Sequence, residues 1–266
     1  MYNSLLRNKT IFIMKPISFL LFFLAVSITA QKTINASDIM SDIKKGKNIS
    51  YKNITIDGTL DFTFMDDALP NLPKRRRWWN GNGSNEIKKR INVAISFENC
   101  IFTDNVLAYI PDESGYTFTA SFYDDVTFKH CTFEKKAMFK YSKFDRKAIF
   151  KETKFEDDST FKYAEFYSEV TFTNTLFSEV STFKFAIFKN NVSFANATFK
   201  DSAIFKYTKF KEGVSFRNTH FEEDLNLKYT VVRGSFDITN MKVGYDIDSK
   251  YTSINGKSFS KHFLNN

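Results

Sequence analysis

Apolar and polar positions follow a fixed rhythm along the second half of the chain. Between residues 122 and 221 a phenylalanine recurs after every five or six residues, and the two spacings alternate. A small or β-branched residue stands two positions before nearly every one, as Ala137 does before Phe139. Because residues two apart share one face of a strand, each such pair is predicted to point inward together. The phenylalanines stand at positions 122, 128, 133, 139, 144, 150, 155, 161, 166, 172, 177, 183, 188, 194, 199, 205, 210, 216 and 221.

A helical interpretation of this rhythm fails on geometry. An eleven-residue apolar repeat can produce a right-handed supercoil of helices. At about 100° per residue, however, steps of five and six residues put successive phenylalanines on different sides of a helix, so no single apolar stripe forms. Short strands joined by turns every five or six residues predict a β-solenoid instead.

A longer period sets the size of one coil of the solenoid. Four sides of five or six residues together span 22 residues, so four short strands are predicted to make one coil. Counting from Tyr51 to Phe259 gives about eight coils. The motif Phe-Lys-Tyr plus a small residue recurs with minor changes every 22 residues, beginning at Phe139, Phe161, Phe183, Phe205, Leu227 and Ser249.

These units resemble the pentapeptide-repeat family, in which a small residue stands two positions before a leucine or phenylalanine. The resemblance covers roughly residues 49–255 and rests on the in-register phenylalanines. It implies an all-β fold, a right-handed quadrilateral β-helix of about eight coils. The chain differs from the family in using phenylalanine almost throughout and in adding a sixth residue to alternate units, so a larger coil is expected.

Three segments depart from the rhythm within and after the repeats. Loop insertions are expected at about 65–90 and 103–121, because the neighbouring repeats are more than one coil apart there. Residues 256–266 are expected to form a C-terminal cap or tail. An open β-helix leaves unpaired backbone at both ends, so such caps are needed.

Residues 31–48 are expected to cap the other end with a short helix. Asn35 or Ser37 can accept the first helical N–H groups, and Gly46 can end the helix. The apolar face of this helix would consist of Ile39, Met40 and Ile43.

Residues 1–30 have the pattern of a secretory signal peptide. Three basic residues and no acidic residue accompany an apolar run from Ile17 to Ala30, which ends in small residues. Cleavage is expected after Ala30, and Met14 is a possible true start. The apolar run is short for a membrane span, so no transmembrane segment is expected after cleavage. The chain is expected to be exported to the periplasm or the exterior, or membrane-associated if the segment is not cleaved.

Composition excludes a disordered chain and a disulfide scaffold. There are 32 Phe but only 9 Gly, 4 Pro and 2 Cys. The formal net charge of +8 falls by three if residues 1–30 are removed. This modest positive balance permits contact with anionic surfaces. Cys100 and Cys131 occupy the same repeat position in neighbouring coils, so they are either a disulfide or two stacked core thiols.

One candidate binding site is a column of outward-facing lysines beside a column of aromatic residues. Such a stripe suits an anionic polymer, with the tyrosines as stacking platforms. Alternatively the charges prevent lateral association of the sheet, and acids such as Glu165 neutralise part of the column. The lysines are Lys140, Lys162, Lys184, Lys206, Lys228 and Lys250, and the aromatic residues are Tyr141, Tyr163, Phe185, Tyr207, Tyr229 and Tyr251.

The first insertion is a second candidate, because it combines basic residues with tryptophans. This composition suits contact with anionic lipid, glycan or nucleic acid. Alternatively the insertion is solvated and its tryptophans pack back on the solenoid. The residues concerned are Lys74, Arg75, Arg76, Arg77, Trp78 and Trp79.

Catalysis finds little support in the sequence. His130, His220 and His262 are scattered, and no Ser/His/Asp or glycine-rich phosphate motif is present. His220 precedes an inward phenylalanine and is expected to face solvent. Acidic clusters at 156–158 and 222–224 are interpreted as solvated turns rather than calcium sites. No catalytic residue, metal site or cofactor is therefore predicted.

The sequence thus favours an exported, non-enzymatic scaffold or binding protein of the bacterial cell envelope. Its partner is an unknown protein or an anionic envelope component, and no nucleic-acid motif is present. The alternative is a carbohydrate-active β-helix enzyme, whose coils would usually carry paired acids on one face. The repeated outer columns carry lysine, tyrosine and asparagine instead, the last at Asn174, Asn196, Asn218 and Asn240.

Overall fold

The chain from residue 31 onward winds through four sheets, which we number I to IV in the order in which each coil passes them. The structure is a computed structural model and describes residues 31–75 and 85–260. Within these ranges sheet I has eight strands, one per coil, and neighbouring coils pair in parallel. Parallel crossovers of this kind are right-handed. The predicted right-handed quadrilateral β-helix of about eight coils, with a short N-terminal helix, is confirmed.

Sheets I and II meet at the first corner of each coil. Sheet I contains the strands Ile49–Lys52, Ile95–Glu98, Val126–Lys129, Ala148–Ile149, Val170–Thr171, Val192–Ser193, Gly213–Ser215 and Ser235–Asp237. Sheet II contains the strands Lys32–Asn35, Ile54–Asp57, Ile101–Phe102, Thr132–Phe133, Lys154–Phe155, Leu176–Phe177, Thr198–Phe199, His220–Phe221 and Lys242–Val243.

Sheets III and IV complete the coil. Sheet III contains the strands Leu60–Asp61, Val106–Leu107, Ala137–Met138, Ser159–Thr160, Ser181–Thr182, Ala203–Ile204, Leu225–Asn226 and Ile247–Asp248. Sheet IV contains the parallel strands Glu86–Ile91, Thr117–Phe122, Lys143–Phe144, Glu165–Phe166, Ile187–Phe188, Lys209–Phe210, Val231–Val232 and Ser253–Ile254. Tyr109–Pro111 and Lys257–Ser258 pair antiparallel with strands of sheet IV.

Stacked phenylalanine rings form the core. The 22-residue register places like residues over one another, as Phe144 over Phe166. Along a column the rings are parallel, with the centroids of Phe161 and Phe183 5.0 Å apart and an interplanar angle of 3°. Between columns they meet edge to face, as Phe161 and Phe172 do at 5.2 Å. The repeat phenylalanines are fully buried, which explains how such an aromatic chain can have a polar surface.

Buried threonines occupy part of the small-residue columns without leaving polar atoms unpaired. Thr153 donates to the carbonyl oxygen of Phe128 at 2.9 Å, and Thr175 donates to that of Phe150 at 2.7 Å. Each hydroxyl thus links its own coil to the preceding one. A buried hydroxyl is tolerated here because it is hydrogen-bonded.

The helix Ala36–Lys44 lies next to the first strands of the solenoid. Asn35, rather than Ser37, is the N-cap, because its side-chain oxygen accepts from the Ser37 backbone N–H at 3.0 Å. Ile39 and Ile43 on this helix are buried in the common core. Gly46 follows with a left-handed φ of +76°, which ends the helix.

Both insertions contain regular structure. The helix Met65–Ala68 and the 3₁₀ helix Leu69–Asn71 lie in the first insertion, and residues 76–84 are outside the described ranges. The second insertion forms a hairpin, in which Tyr109–Pro111 pairs with the start of Thr117–Phe122. At the C-terminus Phe259 is buried against Phe236, with ring centroids 6.1 Å apart.

Candidate functional site

Two opposite corners of the quadrilateral have a left-handed backbone. At the corner between sheets I and II, φ lies between +52° and +58° for six stacked residues, which are His130, Glu152, Asn174, Asn196, Asn218 and Asn240. At the corner between sheets III and IV they lie between +59° and +63° for Tyr141 and the five aromatic residues stacked below it. Asparagine tolerates this conformation, whereas a bulky aromatic residue is disfavoured in it. The aromatic corner therefore needs a compensating interaction.

Ring stacking supplies that interaction. We call Tyr141, Tyr163, Phe185, Tyr207, Tyr229 and Tyr251 the aromatic ladder. Successive ring centroids along it are 5.0, 4.7, 4.7, 4.6 and 4.8 Å apart, and the planes deviate by 20° or less. Stacked aromatic pairs contribute roughly 0.5–1.5 kcal/mol each beyond their buried area, enough to offset an unfavourable φ.

The opposite corner is held together differently, by side-chain amides. Asn196 donates to the Oδ1 of Asn174 at 3.0 Å, Asn218 donates to Asn196 at 2.9 Å, and Asn240 donates to Asn218 at 3.0 Å. We call these four residues the asparagine ladder. The same backbone geometry is thus stabilised by hydrogen bonds on one corner and by ring stacking on the other.

A lysine accompanies every ring of the aromatic ladder. Each ammonium group lies 4.9 to 5.9 Å from the centroid of the ring that follows it in sequence. The distances are below 6 Å, but stacked neighbours cover the faces of the inner rings, so the ammonium groups lie beside those rings rather than over a free face. We call the lysines the lysine column, which consists of Lys140, Lys162, Lys184, Lys206, Lys228 and Lys250.

The lysine column is poorly neutralised. The expectation that Glu165 neutralises part of it is wrong, because this carboxylate lies 3.6 Å from Lys143 and 4.0 Å from Lys189, outside the column. Among the described residues the column has one ion pair, Lys228 with Asp248 at 4.0 Å. Partial burial lowers the pKa of Lys162, and the neighbouring lysines above and below lower it further.

The interpretation of the tyrosines as stacking platforms does not fit the inner rings. Their faces are covered by the rings above and below, so only ring edges and hydroxyl groups reach solvent. Tyr163, Phe185 and Tyr207 are accordingly half-buried. The rings nearer the ends are more exposed, with Tyr141 at 37%, Tyr229 at 36% and Tyr251 at 62%.

The first insertion returns to the solenoid beside the upper end of the aromatic ladder. The Arg75 guanidinium packs against Gly115 of the hairpin, and the Tyr116 hydroxyl donates to the Pro73 carbonyl oxygen. Above the ladder, the Tyr109 ring centroid lies 5.8 Å from that of Tyr141. Of the basic and tryptophan residues predicted here, Lys74 and Arg75 are described, and Arg76, Arg77, Trp78 and Trp79 lie outside the described ranges.

A shallow groove joins these two parts. Asn85, Glu86, Gly115, Thr117 and Tyr141 line it. Arg75, which packs against Gly115, therefore lies near the Tyr141 end of the ladder. Sequence spacing could not reveal this, because the insertions break the repeat register that relates residues to corners.

Cys100 and Cys131 are buried free thiols on neighbouring coils. Their sulfur atoms donate to main-chain carbonyl oxygens, Cys100 to Glu98 at 3.3 Å and Cys131 to Phe97 at 3.4 Å. A mutual hydrogen bond lowers the pKa of Cys100 and raises that of Cys131. The disulfide stays a prediction.

The other titratable groups form no catalytic arrangement that we recognise in the described ranges. His130 Nδ1 contacts Glu152 Oε2 at 2.6 Å on the left-handed corner between sheets I and II. His220 lies on the outer side of its strand and lines a surface groove, as expected, although the side chain is half-buried and its Nδ1 has no hydrogen-bond partner among the described residues. His262 lies outside the described residues. Residues 31–75 and 85–260 contain no cluster of three His, Cys, Asp or Glu suited to a metal.

Comparison with known proteins identifies the repeat. Residues 139–187 and 183–231 match the family of pentapeptide repeats (nine copies). A solved structure that matches is HetL, a pentapeptide repeat protein involved in heterocyst differentiation regulation from the cyanobacterium Nostoc, at 10% identity and a TM-score of 0.21, covering 85% of this chain and 99% of HetL. No curated protein matches the sequence. In the described residues, no helix is both long and apolar enough to span a bilayer.

Proposed function

This chain is a pentapeptide-repeat protein, and on that premise we propose that it is an exported, non-enzymatic scaffold that binds an anionic component of the bacterial cell envelope. The observation that carries the proposal is the lysine column. Its six ammonium groups line one corner of a rigid solenoid, and among the described residues only Lys228 has a carboxylate partner, at 4.0 Å. Such a row of like charges attracts polyanions and gains stability when one binds.

The electrostatics of Lys162 support this proposal. Its pKa is lowered by partial burial and then by Lys140 and Lys184, so the two neighbouring charges disfavour the charged form of Lys162. A bound anionic group between neighbouring ammoniums would replace this repulsion with attraction.

Export is the second part of the proposal. It rests on the basic and then apolar pattern of residues 1–30, with the small residues that end at Ala30. In the host, the mature protein is expected to begin at Gln31 and to be recovered from the periplasm or the medium. Intact-mass measurement of the host protein tests this, and a cytosolic chain that retains residues 1–30 would contradict it.

The carbohydrate-active enzyme has no specific observation in its favour. The repeated columns at the two left-handed corners carry lysines, aromatic rings and amides rather than paired acids. One acid there, Glu152, is engaged by His130 and Lys151. Turnover of a glycan by the purified protein, abolished by Glu152→Gln, would overturn the non-enzymatic proposal.

Retention on an anionic matrix tests the binding role of the lysine column. The variant Lys162→Ser/Lys184→Ser/Lys206→Ser is expected to elute at clearly lower salt than the wild type. The matched control is Lys154→Ser/Lys200→Ser/Lys242→Ser, which removes the same charge from exposed lysines on or next to sheet II that have no ion pair among the described residues. Equal shifts for both triple variants would show that only net charge matters and would remove the column as a site. Arg75→Ser/Arg76→Ser/Arg77→Ser tests the insertion separately.

A further inference from the structure

The tyrosine hydroxyls of the aromatic ladder have no structural task. Among the described residues, the hydroxyls of Tyr163, Tyr207 and Tyr229 have no hydrogen-bond partner, although these rings are held firmly between neighbours. Phe185 takes its place in the same ladder without a hydroxyl, with ring centroids 4.7 Å away on both sides. Ring stacking therefore does not require the hydroxyl groups, and they remain available to a ligand.

The ladder offers a regular row of two donor types. Each coil adds one ammonium group and, except at Phe185, one phenol, at a repeat of about 4.8 Å set by the strand separation. The row is regular because the strands of successive coils stack in register. A matching ligand is a linear chain with one anion and some hydroxyls in every short repeat.

Acidic glycans fit this description, and we propose that the ladder binds a linear carboxylated polysaccharide, a polyuronate, along the solenoid axis. The inference rests on the proposed binding role of the lysine column and specifies its ligand. The carboxylates lie on the ammonium groups, and the sugar hydroxyls exchange hydrogen bonds with the phenols. Ammonium–carboxylate contacts are charge-assisted and form the stronger part of the interaction.

Single-stranded nucleic acid fits less well. Proteins that bind it without sequence preference stack its bases on free aromatic faces. In the ladder the faces of Tyr163, Phe185 and Tyr207 are covered by parallel rings 4.6 to 5.0 Å away. Only the phosphates of a nucleic acid could contact the site, through the same lysines. Base stacking would therefore contribute no binding energy along the inner rings.

An anionic membrane surface also fits less well. Interfacial binding inserts apolar side chains into the acyl boundary, in addition to contacts of basic residues with headgroups. Tyr163, Phe185 and Tyr207 are half-buried and present ring edges rather than protruding apolar groups. The corner is thus suited to hydrogen bonding along a polymer.

Calorimetry with the mature chain and polygalacturonate tests the inference. Wild-type protein is expected to bind polygalacturonate and not its methyl-esterified form, which lacks the charge. Tyr163→Phe/Tyr207→Phe is expected to weaken binding on the order of tenfold, as two hydrogen bonds are lost, with an unchanged melting temperature. Phe185→Tyr is expected to strengthen binding several-fold, because it completes the row of hydroxyls.

Three results would overturn the inference. They are equal binding of the esterified polymer, no effect of the Tyr163→Phe/Tyr207→Phe variant, and binding of oligothymidylate or phosphatidylserine vesicles as tight as that of polygalacturonate. If the oligonucleotide or vesicles bind and Lys162→Ser/Lys184→Ser/Lys206→Ser abolishes that binding, the basic scaffold stands and only the glycan assignment fails. If no anionic ligand depends on these lysines, both proposals fail.

Discussion

The ring of Tyr207 lies parallel to that of Phe185, with centroids 4.7 Å apart and an interplanar angle of 2°. Both residues have a left-handed backbone, with φ of +62° and +63°. On the opposite left-handed corner, Asn196 and Asn174 are joined by an amide hydrogen bond of 3.0 Å instead. The chain therefore places aromatic residues where asparagine is intrinsically favoured, and stacking is the interaction that compensates.

Replacing one rung of the aromatic ladder tests this compensation. Tyr207→Asn keeps a residue that tolerates a positive φ but removes two stacking contacts, so we predict a loss of about 1–3 kcal/mol in the free energy of unfolding. Urea unfolding followed by circular dichroism measures it. Tyr207→Phe is the matched control and is expected to change stability little. If Tyr207→Asn is as stable as Tyr207→Phe, stacking does not hold the ladder.

Two phenylalanines in one short segment separate core packing from ladder stacking. Phe183 is fully buried in the core, whereas Phe185 belongs to the outer ladder. We predict that Phe183→Ala lowers the free energy of unfolding by about 3–5 kcal/mol, because it leaves a cavity. Phe185→Ala is expected to cost about 1–3 kcal/mol through lost stacking. A larger loss for Phe185→Ala in the same unfolding assay would contradict the inward and outward assignment.

The pKa of Asp237 makes the stability of the fold depend on pH in the acid range. Partial burial raises the pKa of this carboxyl, but hydrogen bonds from Thr239 and from the Arg217 guanidinium outweigh it and lower the pKa to about 2 from its usual 3.8. Because the folded state binds the proton more weakly, the carboxylate stabilises the fold above about pH 4. That contribution disappears as the pH falls through about 2.

We therefore predict that Asp237→Asn is less stable than wild type at neutral pH and that the difference vanishes near pH 2. Unfolding midpoints in urea across this range measure it. Glu223→Gln is a suitable control, since this carboxylate is exposed and has no ion pair among the described residues. A constant difference at all pH values would mean that the Asp237 side chain acts through packing rather than through its charge.

The buried thiols give a chemical test of the cysteine pair. Cys100 and Cys131 are each 1% exposed, so we predict that iodoacetamide modifies neither in the native protein and both after unfolding without reductant. Peptide mass mapping under non-reducing conditions reads the result. A cross-linked pair of peptides would contradict it and establish the disulfide. Cys131→Thr is the control, since Thr153 occupies the same position one coil further along.

The coil and the inward phenylalanines could be predicted from the sequence. Steps of five and six residues mark the corners of each coil, and the 22-residue period fixes which residues stack in one column. That period also identified the lysine and aromatic columns. It does not give side-chain rotamers, so the face-to-face stacking of Tyr163 on Phe185 was not predicted, and the rings were interpreted as free platforms. The pairing of Glu165 with Lys143 was missed for the same reason.

Other features depend on backbone conformation or on contacts between insertions. The asparagine column was visible in the sequence. Because asparagine tolerates a left-handed backbone better than most residues, the column was a signal that could have predicted the positive φ of Asn196 at the corner. The approach of Arg75 to Gly115 joins two insertions of irregular length, for which no period relates one residue to the other. Such contacts follow only from three-dimensional packing.

Lysine footprinting in the presence of polygalacturonate tests the central claim most directly. The mature protein is acetylated briefly with and without the polymer, and the modified lysines are quantified by mass spectrometry. Bound polymer is predicted to protect Lys162, Lys184 and Lys206 several-fold while the exposed sheet II lysines Lys154, Lys200 and Lys242 stay equally reactive. Equal protection of both sets, or protection of neither, would contradict a binding site on the aromatic ladder.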